Sequence, residues 1–420
     1  VSIVAPLKLP PFRRLYAAQV VANFGDGLDY LAIVTIVVFE WQRGASALGV
    51  MALATALPLV FGAPVFGVVA DRFEPRIVMV LANVVRAGAV ALIMFVDDFP
   101  WVCLLAAVAG VCAGFFGAAE QRFIRYRVPE NQLLQANSLR STTERMLTGL
   151  TGPGIAAVLI ALVGARGTLA VTAGCFALSA LAVFFVGRIA RPDDPAEPEE
   201  RAGWLRRVAA GVHHVGTLPS LRLVVAGVAV AYLFSTMFDV MLPVWYRDMG
   251  GGPAFTGTAM TCMGVGGALG ALALAKFGDR FNLTTVMALS SIVIGLLVGA
   301  MGLAGTLEGR VLLGVWLVFA ACIGVCAAVA MIGYGTLVQR LTPPELMGRV
   351  GALTGAAVTA PTVVGPAVSP VIASAVGVDG LFTICGAGLI AVGLVIVWRS
   401  RAHSAPAAAP SPQAAPTAIK

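Results

Sequence analysis

The stretch SALGVMALATALPLVFGAPVFGVVA (46–70), DRFEPR (71–76), IVMVLANVVRAGAVALIMFV (77–96) decides the fold. Its first twenty-five residues carry no charge, enough for a helix to cross the ~30 Å apolar core of a bilayer at about 1.5 Å per residue. Asp71, Arg72, Glu74 and Arg76 then crowd into one turn, and a second apolar run follows that only Arg86 interrupts. Two membrane helices joined by a short charged turn is the reading, and the remainder of the chain repeats it.

Apolar runs also occupy 15–41, 101–119, 133–163, 167–187, 222–246, 254–277, 284–304, 311–337, 350–377 and 380–398, so twelve spans are expected in an all-α membrane protein. The 59% hydrophobic and 12% charged composition excludes a soluble globule, for which about 25% charged residues is usual. Strand alternation over about ten residues is missing from these long runs, which excludes an outer-membrane barrel. Gly and Pro inside the runs are tolerated in membrane helices.

The net charge of +7 would point to nucleic acid in a soluble chain; here it fits loops facing anionic lipid, and no nucleic-acid partner is expected. With the N-terminus in the cytoplasm, 23 of the 28 Lys and Arg fall inside, while Arg43, Arg166, Arg247 and Arg310 fall outside and Arg86 lies within a helix. That bias predicts both termini in the cytoplasm. Trp41, Trp101, Trp245 and Trp398 stand at span ends, where indole rings anchor at headgroup level. Val1 to Arg14 lacks an apolar core with a small-residue cleavage site, so no removable signal is expected there.

The segment 191–200 is charged and Pro-containing, and divides the chain. The expected organisation is a six-helix half (1–190), a cytoplasmic linker with an interfacial helix (191–221), a second six-helix half (222–400) and a disordered tail (401–420). The halves repeat: Asp71-Arg72-Phe73 recurs as Asp279-Arg280-Phe281, Pro129-Glu130 as Pro344-Glu345, and Gly152-Pro153 as Gly365-Pro366, at offsets of 208, 215 and 213. Parallel six-helix repeats with a midplane site between them are the plan of a rocking transporter.

With these residues quoted, the chain resembles the major facilitator superfamily. Gly67-Val-Val-Ala70-Asp71-Arg72-Phe73-Glu74-Pro75-Arg76 is similar to its pattern G-x-L-A-D-R-x-G-R-R/K, with Glu74 where Gly is usual and Pro75 where a basic residue is usual. Phe12-Arg13-Arg14-Leu15, Asn23-Phe24-Gly25-Asp26, Ala136-Asn137 and Pro344-Glu345-Leu346-Met347-Gly348-Arg349-Val350 look like the drug:proton antiporter branch, which contains macrolide-efflux and siderophore-export proteins. Gly149-Leu-Thr-Gly152-Pro153 resembles that superfamily's exporter motif, although a Gly-Pro pair can also be a plain packing kink. The resemblance implies a gating role for Gly67, Asp71, Arg72, Arg76, Asp279 and Arg280, and an exporter role for Gly149, Gly152 and Pro153.

A carboxylate inside a membrane helix is costly and is read first as functional. Asp26 and Asp29 lie three residues apart on one helix face, where burial and mutual repulsion favour holding a proton; Asp26 is expected to be the main carrier and Asp29 to tune it. Asp239 is a further candidate, nearer the outer end. Arg86 needs a partner, expected to be a carboxylate of the first helix. Glu120 with Arg122, and Glu144 with Arg140 and Arg145, are read equally as gating ion pairs or as ordinary solvated charge. Gly264-Val-Gly266-Gly267-Ala-Leu-Gly270 sits inside a helix with no preceding strand, which makes it helix packing rather than a dinucleotide loop.

No phosphate-binding GxxxxGK[ST] loop occurs, and neither the seven cysteines nor the three histidines form a zinc or disulfide pattern, so no cofactor and no metal are expected. The function expected is a proton-coupled exporter of amphipathic, drug-like molecules at the bacterial inner membrane, working as a monomer among lipids and not as an enzyme. Alternatives are a siderophore or lysophospholipid transporter of the same fold, or a transport-inactive receptor or scaffold. Cavity helices one, four, seven and ten, taken from the resemblance, offer Phe24, Tyr30, Phe115, Phe116, Tyr232, Phe234, Met237, Phe238, Met331 and Tyr334 for a cationic or zwitterionic cargo.

Overall fold

The structure is a computed structural model that describes residues 5–187, 219–278, 281–304, 313–342 and 347–403. Asp279 and Arg280, Pro344 and Glu345, most of the expected linker and nearly all of the expected tail lie outside the described residues.

The apolar runs fold as helices and no strand occurs among the described residues. The spans are α1 (Pro10–Val34, closed by a π turn Thr35–Glu40), α2 (Ala45–Arg72), α3 (Pro75–Ile93), α4 (Phe99–Arg127), α5 (133–163), α6 (165–184), α7 (Pro219–Asp248), α8 (Pro253–Phe277), α9 (Leu283–Ala304), α10 (Leu313–Leu341), α11 (347–376) and α12 (378–403). Proline stands in the first helical positions of α1, α3, α4 and α8, where its missing N–H costs nothing. Arg72, Arg125, Arg127, Lys276 and Arg340 close α2, α4, α8 and α10, where a cation meets the negative end of the helix dipole.

Single glycines separate α5 from α6 and α11 from α12. Gly164 (φ 77°, ψ 171°) and Gly377 (φ 79°, ψ 168°) take a conformation open to glycine alone, and each forms the entire connection. They lie 213 residues apart, the offset of the two Gly-Pro pairs. Twelve alternating spans put the start of α1 and the end of α12 at one end of the bundle, here the base; the opposite end is the crown.

Packing repeats as the sequence does. In the first half α1 packs on α6, α3 on α4 and α6, and α2 on α4; in the second, α7 packs on α12, α9 on α10 and α12, and α8 on α10. Lipid supplies no hydrophobic drive between helices, so small residues set the contacts. Gly25 faces Cys175 and Phe176, and Gly295 and Gly386 lie backbone against backbone. The halves meet along α2 with α11 and α5 with α8. Gly49 seats on Pro366 and Pro370, Gly257 on Pro153 and Ala157, and Gly264 on Gly149 and Leu150.

All these contacts lie from mid-depth to the crown. Below them, Met146 of α5 and Leu269 and Leu272 of α8 are exposed. The glycine contacts between the halves are thus gathered from mid-depth to the crown, while Gly67, Gly351 and Gly355 toward the base have no described neighbour within 4 Å of their Cβ positions. Trp101 and Trp398 are exposed at span ends, as headgroup anchors are, but Trp245 is not such an anchor. It is 1% exposed, stacks on Phe382, and donates from Nε1 to Asp379 Oδ1 at 2.8 Å.

Candidate functional site

A cavity of about 440 Å³ lies between the halves, lined from α1 by Asp26, Asp29, Tyr30 and Ile33, from α2 by Leu48, Met51 and Thr55, and from α4 by Ala106, Ala109, Gly110 and Ala113. Arg86 of α3 reaches it, and α7 and α11 complete it with Thr236, Asp239, Val240, Thr362 and Pro366. Small residues on α4 leave the space, and Pro366 borders it from α11. α10, expected from the resemblance, contributes no lining residue, and α2 and α11 do.

The charges are unequal in their surroundings. Arg86, buried at 6% side-chain exposure, pairs through Nη2 with Asp26 Oδ1, while Phe176 of α6 presents its ring face 3.9 Å from the guanidinium carbon. A buried cation is tolerable when paired and stacked, which accounts for a single Arg in an otherwise apolar span. Nearby, Asn83 Nδ2 donates to Ser179 Oγ at 2.9 Å, which donates to the Ala18 carbonyl at 2.8 Å, tying α3, α6 and α1 together behind the pair.

Asp29 differs. Its Oδ1 is buried with no hydrogen-bond partner among the described residues, so its ionised form lacks compensation there. Asp239, from the other half, is open to the cavity. The site therefore offers one carboxylate neutralised by Arg86 and two more, one from each half.

Of the rings and methionines singled out in sequence, Tyr30 lines this cavity. Phe238 lines a smaller apolar crevice with Met260 and Met263 and meets Phe382 edge-on. Phe24 packs against Leu28 and Leu31, Phe115 meets Phe66 edge-on, and Phe116 is buried with Phe123. Phe234 lies against Gly388, and Met237 is buried in the core shared by both halves. Tyr232 is half-buried, Met331 is exposed, and Tyr334 is buried beside Val338 and Val350. Met51, Thr55 and Thr362 line the cavity without having been singled out; their spacing on α2 and α11 carried no signal apart from that of any membrane helix.

The motif segments surround the site. Gly152 lies against Gly27 of α1, backbone to backbone, directly after a π turn at Met146–Thr151, while the Gly149 carbonyl faces Gly264 of α8. Pro153 opens the next helical stretch, and its carbonyl faces Gly257. At the base, Gly67 has open space beside it, Asp71 and Arg72 are exposed, and Arg76 lies 4.7 Å from the ring centroid of Phe184. Arg122 Nη1 donates to the Ala70 carbonyl, fastening α4 to the end of α2. Glu120, 2% exposed, accepts from Arg140 Nη1 at 3.3 Å, and Arg140 also lies 3.8 Å from Glu144.

Comparison with known proteins matches this geometry to a family. Residues 1–418 match the family model described as transmembrane secretion effector. An uncharacterized MFS-type transporter of Bacillus subtilis, YfiS, is 29% identical over 383 residues, 91% of each chain. The multidrug efflux pump Tap of Mycolicibacterium fortuitum is 28% identical over 412 residues, 94% of this chain and 97% of that one. Among solved structures, a mutant of the nucleoside transporter NupG superposes with a TM-score of 0.71 at 12% identity, over 91% of this chain and 99% of its own. A bacterial homologue of the human lysosomal transporter Spinster, inward-facing and occupied, gives 0.69 at 11% identity over 94% and 97%. At such identities the likeness is one of fold, and that fold is the twelve-helix arrangement described above. The chain belongs to the transmembrane secretion effector family of major facilitator transporters.

Proposed function

We propose that the protein exports amphipathic, drug-like small molecules across the bacterial inner membrane in exchange for protons, by alternating access, as a monomer with both termini in the cytoplasm. The base is then the cytoplasmic side, and the present conformation is the one that loads cargo. The observation that carries the reading is the cavity between halves, presenting Asp29 from one and Asp239 from the other beside Tyr30 and Met51. A lipophilic cation gains ring-face and thioether contact there, and competes with a proton for the carboxylates. The likeness to the multidrug efflux pump Tap supports export of this cargo class. The cycle has no covalent step. Because Asp26 is engaged by Arg86, we assign the coupling proton to Asp29, with Asp26 as the neighbour that tunes it, the reverse of the order expected from sequence.

The test is ethidium flux in proteoliposomes under an imposed pH gradient. The wild type should accumulate ethidium against its gradient. Asp29→Asn should lose that drive while retaining ethidium counterflow, and Asp239→Asn should weaken ethidium binding. Gradient-driven accumulation that persists in Asp29→Asn refutes the assignment.

A further inference from the structure

The cavity is not the last place where a buried carboxylate oxygen lacks a hydrogen-bond partner among the described residues. Ala106, Ala109, Gly110 and Ala113 line it from one face of α4, and the same 3.6-residue stripe continues through Gly117 to Glu120. Glu120 lies seven residues below Ala113, about 10 Å along the helix. Among the described residues nothing stands within 4 Å of where a side chain on Gly117 would begin, so the stripe has open space at Gly117, one turn short of Glu120.

Glu120 is 2% exposed, yet its ion pair is thin: Oε2 accepts from Arg140 Nη1 at 3.3 Å, while Oε1 is buried without a hydrogen-bond partner among the described residues. Arg140 is itself poorly satisfied, its Nε also buried and without a hydrogen-bond partner among the described residues, and it has a second carboxylate within reach, the more exposed Glu144 at 3.8 Å one turn along α5. Among the described residues, Arg140 and Glu144 are the charged groups that act on Glu120. A carboxylate held by one long contact, beside a cation that has an alternative partner, can become neutral without stranding that cation.

We propose that Glu120 is a second proton-binding site of the transporter, taking a proton at Oε1 on the cavity-facing stripe and thereby releasing Arg140 to Glu144. The proton comes from water or a cavity carboxylate and returns to water at the base, so no other reactant is needed. Two residues further along α4, Arg122 grips the Ala70 carbonyl beside Asp71, so the charge change at Glu120 occurs next to the gating turn. The inference rests on the proton-coupled reading for its role in transport, but not for its titration.

Infrared pH-difference spectra of the full chain in liposomes test it. The wild type should show a protonated-carboxyl absorption that titrates and is missing in Glu120→Gln, with Glu120→Asp moving rather than erasing it. In the ethidium assay, Glu120→Gln should retain counterflow and lose at least several-fold in pH-driven accumulation. Identical difference spectra in wild type and Glu120→Gln, or undiminished pH-driven accumulation in that variant, overturn the proposal. Should Glu120→Gln not fold, an unmoved absorption in Glu120→Asp overturns it equally. A wild type indifferent to the pH gradient would instead fell the proton-coupled reading, while the spectra still decide whether Glu120 binds a proton.

Discussion

Arg247 of α7 donates from Nη1 to the carbonyl of Val38 at 3.2 Å and to that of Arg43 at 2.9 Å, so a cation of the second half sits on the closing turn of the first span. Asp248 holds the same guanidinium at Nε and Nη2, 3.0 and 2.8 Å away, and aims it. This is a clasp across the crown, eight residues beyond Asp239 on the same helix. Pro243 between them removes the N–H that would bond the Asp239 carbonyl, leaving a bendable point between cavity and clasp.

Arg247→Gln should therefore raise the crown-open population, and Arg247→Lys should do so less. Distances between spin labels at positions 42 and 252 report it. Distributions identical to wild type in Arg247→Gln would show that the clasp does not hold the crown.

Removing the partner of Arg86 should be worse than removing both charges. Asp26→Asn takes the paired negative charge from a buried guanidinium, leaving it the Phe176 face and a neutral amide oxygen, which costs about 2 kcal/mol, less than the ~3–5 of a fully enclosed pair because Asp26 is 35% open to the cavity. Thermal unfolding in detergent should show a lowered Tm in Asp26→Asn, restored in part by adding Arg86→Met. A double variant less stable than the single one would contradict this.

The backbone contact of Gly27 with Gly152 leaves no room for a methyl group: a Cβ on Gly152 would come 2.6 Å from the Gly27 Cα. Gly152→Ala should destabilise the first half by about 1–3 kcal/mol. Gly149→Ala, with nothing within 4 Å of its Cβ position, should cost far less. Paired Tm measurements distinguish a packing role for the motif from a purely conformational one.

Asp71→Asn should slow ethidium transport several-fold while leaving ethidium binding unchanged, because Asp71 sits on the exposed base turn that Arg122 fastens and far from the cavity lining. Equal turnover in initial-rate measurements would remove the turn from the gating cycle.

The spans were legible because apolar length is read directly along the chain, and even the breaks at Gly164 and Gly377 fall between the runs 133–163 and 167–187 and at the end of 350–377. Rotation of a membrane helix about its axis is less legible. With apolar residues all round, neither α2 nor α11 shows which face meets the cavity, so Met51 and Thr362 went unmarked while Phe116 and Met237, on the named helices, turn into the core. The Arg86 pairing was accessible to reasoning because a buried cation demands a carboxylate and α1 holds two. That it takes Asp26 rather than Asp29 depends on helix rotation. Trp245 misled for a related reason: its place at a span end says nothing of Asp379, 134 residues away, which turns it inward.

The single-glycine joints at the crown have a mechanical consequence. With only Gly164 between them, α5 and α6 cannot slide past one another, and Gly377 fastens α11 to α12 in the same way. α5 and α11 bear on the opposite half and also touch α1 and α7, the helices of Asp29 and Asp239, through Gly152 on Gly27 and Pro361 on Thr236, while α6 and α12 add Phe176 against Gly25 of α1 and Gly388 against Phe234 of α7. A tilt at either seam is thus carried without slack to the acidic helices, as a hinge pin carries the swing of one leaf to its whole plate.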